Sequence, residues 1–63
     1  MIEVIIERWT SLKKSTDFRW SVWRDGNRIQ MGGPHGSCAE SEREALEYCE
    51  ASLRRKPDHI ERL

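Results

Sequence analysis

The sequence predicts an α+β fold, in which a three-stranded antiparallel sheet carries one C-terminal helix on a single face (βββα). Two segments in the first half alternate apolar and polar side chains with the two-residue period of a strand. An Asp25-Gly26 pair, typical of a tight hairpin turn, follows the second of them. A later segment repeats apolar residues at helical spacing and ends before Pro57.

The length of 63 residues predicts a single domain over residues 1–63, because a chain of this size buries only roughly 60% of its surface on folding. The apolar start is short and contains Glu3 and Glu7, so it predicts neither a secretory signal nor a membrane span, which needs about 20 apolar residues. We therefore expect a cytoplasmic protein with no membrane partner. Cys38 and Cys49 are too few for a disulfide scaffold, and Cys49 is expected to be a small buried hydrophobe.

The first strand is predicted over about residues 2–9, with Ile2, Val4 and Ile6 on the face that meets the core. Residues 10–17 are polar apart from one leucine and predict a flexible connection.

The second and third strands are predicted over about residues 18–24 and 27–32 as a hairpin. Glycine tolerates positive φ and aspartate is permitted there, so Asp25-Gly26 suits a type I′ turn. The glycines and the proline at positions 32–34 predict the end of the third strand. A turn at Asp25-Gly26 sets a register that pairs apolar residues on the core face: Val22 with Ile29, and Trp20 with Met31.

The helix is predicted over about residues 42–55. Ser41 and Glu44 have the spacing of a capping box, and Pro57 stops the helix. Residues 57–63 are predicted to form a tail, with Ile60 and Leu63 either docked on the sheet or loose. The side chains expected to face the sheet are Ala45, Leu46, Cys49 and Leu53.

The charge layout predicts two opposite surfaces, although the formal net charge is zero. Six basic residues lie between Arg8 and Gly36, against Asp17 and Asp25. Five glutamates lie between Cys38 and Ala51, against Arg43 alone. Charge separation of this kind bears on binding partners rather than on fold.

The helix is expected to present a row of carboxylates at spacings of three and four residues. We call it the acidic helix face, and it consists of Glu40, Glu44, Glu47 and Glu50. Such a row can present charges to a basic protein groove much as a nucleic-acid backbone does. The alternative is an ordinary solvated helix surface. The low content of basic residues in the first three turns favours a binding role.

The sheet face turned away from the helix, the open sheet face, is expected to combine aromatic and guanidinium groups. Its candidate nucleic-acid-binding residues are Trp9, Arg19, Trp23 and Arg28. These groups can stack bases and neutralise phosphate. Two alternatives need no nucleic acid: a cation–π pair between Trp23 and Arg28, and an apolar contact in a weak homodimer.

Three sequence runs carry a resemblance over roughly residues 18–53. The run Trp20-Ser-Val-Trp-Arg-Asp-Gly, then Ile29-Gln-Met-Gly, then Ser41-Glu-Arg-Glu-Ala resembles the strand–turn–strand–helix order of the plant ethylene-response DNA-binding domain and of phage integrase arm-binding domains. The resemblance implies that Arg19, Trp23 and Arg28 contact the major groove. The acidic first strand and the zero net charge depart from that family.

In size and character the chain also resembles phage and mobile-element inhibitors such as the anti-CRISPR proteins, a group that no motif defines. That resemblance implies a non-catalytic inhibitor whose acidic helix face occludes a basic surface of a nucleic-acid-handling complex, such as a Cas subunit. We expect no enzyme activity and no cofactor, because no catalytic motif is evident. We also expect no metal, since the spacing of the histidines and cysteines fits no zinc-finger pattern well. The side chains that could ligate a metal are His35, Cys38, Cys49 and His59.

Overall fold

Three strands, one helix and a fourth, short strand follow one another in the computed structural model, which describes all residues, 1–63. The fold is α+β, as predicted, but its sheet is four-stranded and mixed rather than three-stranded and antiparallel. The strand order is β3-β2-β1-β4, with β4 parallel to β1 and the other pairs antiparallel. The elements are β1 (Ile2–Thr10), β2 (Thr16–Arg24), β3 (Asn27–His35), α1 (Cys38–Tyr48), a π-helical segment (Cys49–Leu53) and β4 (His59–Arg62).

The fourth strand replaces the predicted tail. It pairs with β1 from Glu3↔His59 to Ile6↔Arg62. Asp58 anchors its start, because the Ile2 amide donates to Oδ2 of Asp58 at 2.8 Å and the Asp58 amide donates to the Ile2 carbonyl at 2.7 Å. The prediction that the helix is the last regular element was wrong. Strand β4 forms by pairing with β1, which is more than 50 residues away in sequence, and the pattern of four residues cannot reveal such a contact.

The turn between β2 and β3 is confirmed, with positive φ of 49° at Asp25 and 85° at Gly26. The predicted register beyond it is wrong. Arg24 pairs with Asn27 and Trp23 with Arg28, but the next partners are Val22↔Gln30 and Trp20↔Gly32. A β-bulge at Ile29 shifts the register, so Ile29 and Met31 do not pair with Val22 and Trp20.

The register shift is explained by the packing of the Trp20 indole against Gly32. A Cβ atom at Gly32 would lie only 2.5 Å from the Cε2 atom of Trp20. The indole therefore packs where β3 has no side chain, and the bulge brings Gly32 to that position. Met31, the partner expected from sequence, is instead 54% exposed.

Strand β3 extends to His35, beyond its predicted end. Two of its residues, Gly33 and Pro34, lie opposite the single residue Arg19 in a second irregularity of the ladder. Proline lacks an amide donor, but it is tolerated here because β3 is an edge strand with a bulge at this point. The extension brings His35 beside Phe18 and within reach of the helix.

The helix begins four residues before its predicted start. Its N-cap is Ser37, whose Oγ accepts from the Glu40 amide at 3.2 Å. Ser41, the expected cap, is fully buried and donates its hydroxyl to the Phe18 carbonyl at 2.8 Å. After the π-helical segment, Arg54 takes the left-handed conformation, with φ 54°, and ends the helix.

The core lies between α1 and the two central strands. It consists of Ile2, Val4, Ile6, Trp20, Val22, Ala45 and Cys49. Leu53 packs partly buried against this core, while Leu46 is half-buried. The expectation for Cys49 is met, since it is fully buried, and burial raises the pKa of its thiol.

Candidate binding surfaces

The acidic helix face is only partly a row of outward carboxylates. Three of its glutamates follow one another at about one helical turn, since Glu44 is four residues after Glu40 and Glu47 is three residues after Glu44. Together with His35 and Arg43 they line a shallow depression of about 250 Å³. The strand β3 supplies the histidine, so this depression lies where the helix meets the end of the sheet.

Glu44 differs from the expectation of an outward side chain. Its Oε1 accepts a 2.8 Å hydrogen bond from Nε1 of Trp20, and its Oε2 lies 2.9 Å from Nε2 of His35. The Trp20 hydrogen bond and then the neighbouring His35 hold the pKa of Glu44 below its ordinary value. The side chain is still 44% exposed, so Glu44 is a charged, oriented group at the surface.

His35 is the least satisfied polar group of this cluster. Its Nδ1 lies 3.8 Å from a carboxylate oxygen of Glu40. Its Nε2 is buried and close to Glu44, yet it has no hydrogen-bond partner of good geometry. The contacts with both glutamates are therefore close approaches of a ring nitrogen to a carboxylate rather than hydrogen bonds of good geometry.

The remaining helix carboxylates divide into paired and unpaired ones. Glu42 binds Arg62 of β4, with Oε1 2.6 Å from Nη2 and 2.7 Å from Nε. Glu47 and Glu50 are exposed and form no ion pair. Both line a second depression, of about 550 Å³, with Leu46 and Arg62. Sequence reasoning missed Glu42 and Arg62 as a pair because it did not place β4 beside the helix.

The four residues predicted for the open sheet face form two separate pairs. The Cζ atom of Arg19 lies 5.0 Å from the ring centre of Trp9, a cation–π contact. Trp23 and Arg28 are cross-strand partners, but no cation–π contact joins them. Nε1 of Trp23 instead donates to Oγ of Ser21 at 2.8 Å. Arg19 and Trp23 are four residues apart on β2, so roughly 13 Å separates the pairs.

Acidic residues share this face with the two arginines. Cross-strand partners point to the same side of a sheet, so the register assigns further side chains to it. Glu3 is the partner of Trp23, and Glu7 is the partner of Arg19. Asp17 pairs with Trp9, and β4 adds Glu61 beside Ile5. The open sheet face is therefore mixed in charge, with more carboxylates than guanidinium groups.

The connection predicted as flexible forms a hydrogen-bonded turn at the tip of the β1–β2 hairpin. Strands β1 and β2 pair as far as Thr10↔Thr16. The turn is closed by two backbone hydrogen bonds of 2.9 Å, from Ser11 to the Ser15 carbonyl and from Lys14 to the Ser11 carbonyl. The Ser15 amide also donates to Oγ of Ser11. The threonines that flank the loop, which favour strands, were the available signal for this extension.

The four residues considered for a metal site are not brought together. Cys49 is in the core, whereas His59 lies on β4 beside Glu3 on the open sheet face. No group of three or more histidine, cysteine, aspartate or glutamate side chains has a geometry that could hold a metal ion. The helix of this chain is too short and too polar to cross a bilayer.

Comparison with models of protein families, with curated proteins and with solved structures finds no match to this chain. The surfaces described above are therefore interpreted from their own geometry and charge.

Proposed function

We propose that the protein is a small non-catalytic inhibitor that docks the acidic helix face onto a basic surface of a nucleic-acid-handling complex. Its class would be that of the anti-CRISPR proteins, and a DNA-reading surface of a Cas subunit is a suitable partner. The observation that carries the proposal is the orientation of Glu44 between Glu40 and Glu47 at the edge of a depression.

A fixed carboxylate is better suited to binding than a freely rotating one. The Trp20 hydrogen bond restrains Glu44 before any partner arrives, so less side-chain entropy is lost on docking. Its lowered pKa keeps it charged at neutral pH. The depression of about 250 Å³ is lined by three carboxylates against one cation, Arg43, and this excess of negative charge suits the end of an arginine or lysine side chain.

The unpaired carboxylates extend this surface. Glu47 and Glu50 are exposed, and no intramolecular cation must be displaced before they meet a partner. Charges at the rim of an interface mainly accelerate association and give it salt dependence. We therefore expect binding that weakens as the salt concentration rises.

The first experiment measures binding to a fluorescein-labelled nona-arginine peptide by anisotropy at 50 and 200 mM salt. The test variant is E47K/E50K, because neither residue supports the fold through an ion pair. The matched control is E3K/E61K, which makes the same change in net charge on the open sheet face. We expect binding to be lost in the test variant and largely kept in the control. Equal losses would show an effect of net charge alone and contradict the proposal.

The second experiment measures inhibition directly. Purified CRISPR effector complexes are assayed for binding of a labelled target duplex, with and without the protein. We expect the wild-type protein to reduce duplex binding, the control E3K/E61K to do the same, and E47K/E50K to have no effect. Full inhibition by E47K/E50K would rule out the acidic helix face as the inhibitory surface.

A second candidate function is that of a nucleic-acid-binding accessory factor using the open sheet face. The cation–π contact of Arg19 with Trp9 favours it, because it presents a guanidinium and an indole side by side. In this case R28A and W23A should each weaken binding of nucleic acid, and R28A should lower the salt slope by about one. Unchanged binding in both variants would exclude the Trp23 end of this face.

A further inference from the structure

The tip of the β1–β2 hairpin projects beyond the rest of the sheet as a two-stranded ribbon. The last partner that β3 provides is His35, opposite Phe18. On the other side, β4 ends its pairing at Arg62, opposite Ile6. Past these points the ribbon has no third strand. Every residue from Arg8 to Thr16 is exposed, so this segment contributes almost nothing to the core.

The tip is also the part of the sheet with the largest group of basic side chains. We call residues 8–19 the basic tip. It has four cations and a single carboxylate, Asp17. None of the four cations forms an ion pair. The cations are Arg8, Lys13, Lys14 and Arg19.

We infer that the basic tip is a contact surface for duplex DNA, entering the major groove and binding the flanking phosphates. This surface is distinct from the acidic helix face and shares only Trp9 and Arg19 with the four candidate residues of the open sheet face, so the inference goes beyond the proposed function and can fail without it. The major groove is about 12 Å wide and admits a two-stranded β-ribbon. Residues 9–17 of the tip form such a ribbon, free along both edges, whereas Phe18 and Arg19 lie beside β3.

The side chains of the tip suit a phosphate backbone. Thr10, Ser11, Ser15 and Thr16 add hydroxyl groups, which are common donors to phosphate oxygens. The Trp9 ring lies under the Arg19 guanidinium and restrains it. A membrane-inserted hairpin would need a larger apolar surface, whereas only Trp9 and Leu12 are exposed apolar side chains here, since Phe18 packs against the core.

The acidic helix does not cancel the field of the basic tip at physiological salt. The molecule is elongated, with extents of 37 × 20 × 15 Å. Arg8 lies where the sheet last has three strands, since its partner Phe18 also pairs with His35. Lys13 is five positions further along the chain, so the turn lies roughly 10 Å or more beyond Arg8. The Debye length at physiological ionic strength is about 8 Å, so the helix carboxylates are largely screened from the turn. A zero net charge is therefore compatible with local attraction to DNA.

The test is fluorescence anisotropy of the full chain with a labelled 16-base-pair duplex, titrated between 50 and 200 mM salt. The main variant is K13Q/K14N. Lys14 has φ 62°, a left-handed conformation that asparagine tolerates, so the turn should be preserved. The matched control R54N/K56Q removes two exposed cations outside the tip, and Arg54, like Lys14, has a left-handed φ, 54°, that asparagine tolerates. Thermal unfolding of each variant checks that it is folded.

We expect saturable binding by the wild-type protein and by the control. In K13Q/K14N, loss of two phosphate contacts should lower the salt slope by about 1.8 and the affinity at 0.1 M salt by roughly 60-fold. R19A should lower the slope by about 0.9. These results would support the basic tip as a DNA-binding surface.

Four outcomes would overturn the inference. One is the absence of duplex binding at 50 mM salt. Another is a loss in R54N/K56Q as large as the loss in K13Q/K14N, since attraction would then not depend on the tip. A third is equally tight binding of single-stranded DNA of the same length, because a single strand has no major groove for the ribbon to enter. The fourth is binding of phosphatidylserine vesicles without binding of the duplex, which would assign the tip to lipid.

Discussion

The Nε1 atom of Trp20 donates a 2.8 Å hydrogen bond to Oε1 of Glu44 and so joins the middle of the sheet to the helix. Trp20 is 5% exposed, and its indole N–H has no other partner. The Tyr48 ring lies beside it, with ring centroids 5.9 Å apart. One carboxylate thus satisfies a core tryptophan and contributes charge to the acidic helix face.

Removing the Glu44 carboxylate should destabilise the fold. E44A leaves the Trp20 N–H without an acceptor, and a buried unsatisfied donor costs about 1–3 kcal/mol of unfolding free energy. E44Q keeps a side-chain oxygen and should cost less than about 1 kcal/mol. Urea unfolding measures both. E47A, at an exposed site without an ion pair, is the control and should change the unfolding free energy by less than about 0.5 kcal/mol. An E44A protein as stable as E47A would show that this hydrogen bond is dispensable.

Filling the space above Gly32 should disturb the core. G32A places a Cβ atom 2.5 Å from the Trp20 ring, and we expect a loss of about 1–3 kcal/mol, typical of overpacking. The control is G36A, because a Cβ atom there would meet nothing within 4 Å. Urea unfolding of the two variants compares them directly. If G36A were the more destabilising change, the packing of Trp20 on Gly32 could not be the reason for the β3 register.

Acidification should weaken the fold through Glu44 and Asp58. The pKa of Glu44 is lowered by the Trp20 hydrogen bond and by His35, and the pKa of Asp58 is lowered mainly by the Ile2 amide and also by Arg55. A depressed folded-state pKa gives stability that is present above the ordinary value and is lost as the pH falls through the folded value. The loss should therefore begin near the ordinary values of 4.5 for Glu44 and 3.8 for Asp58.

The measurement is the urea midpoint at pH 6.5 and at pH 3. The wild-type midpoint should fall, and the double variant E44Q/D58N should lose less on acidification, because neither replacement can be protonated in this range. The same pH dependence in both proteins would mean that other carboxylates are responsible.

The fourth strand should contribute to stability through Ile60. This residue is half-buried against the core, so I60A should cost about 1–2 kcal/mol, less than the 2–5 kcal/mol usual for a fully buried isoleucine. Leu63 is 66% exposed, and L63A should change the unfolding free energy by less than about 0.5 kcal/mol. Chemical denaturation of both variants tests the assignment. Equal, negligible effects would indicate that residues 58–63 do not dock.

The acidic helix face was predicted only in part from the sequence. Its four glutamates were identified from spacing, and Glu47 and Glu50 are exposed as expected. The role of Glu44 in the core could not be predicted, because it depends on where the Trp20 indole lies in space. The same is true of Glu42, whose partner Arg62 is 20 residues away in sequence.

The sequence by itself determined the features that arise from neighbouring residues. Alternation identified β1 and β2, Asp25-Gly26 set the turn, and helical spacing placed Ala45 and Cys49 in the core. These signals are local, since dihedral preferences and the side-chain period of an element act over a few residues. They were sufficient for the α+β class and for one covered sheet face.

Only the tertiary structure decided the rest. The sequence predicted Ser41 as the helix cap from its spacing to Glu44, whereas the observed cap is Ser37, which has the same spacing to Glu40. The contact of Ser41 with Phe18 buries the second serine and leaves Ser37 as the cap. The parallel strand β4 and the shifted register of β3 have the same origin: each depends on side chains and backbone groups distant in sequence, whose fit becomes defined only when the whole chain packs.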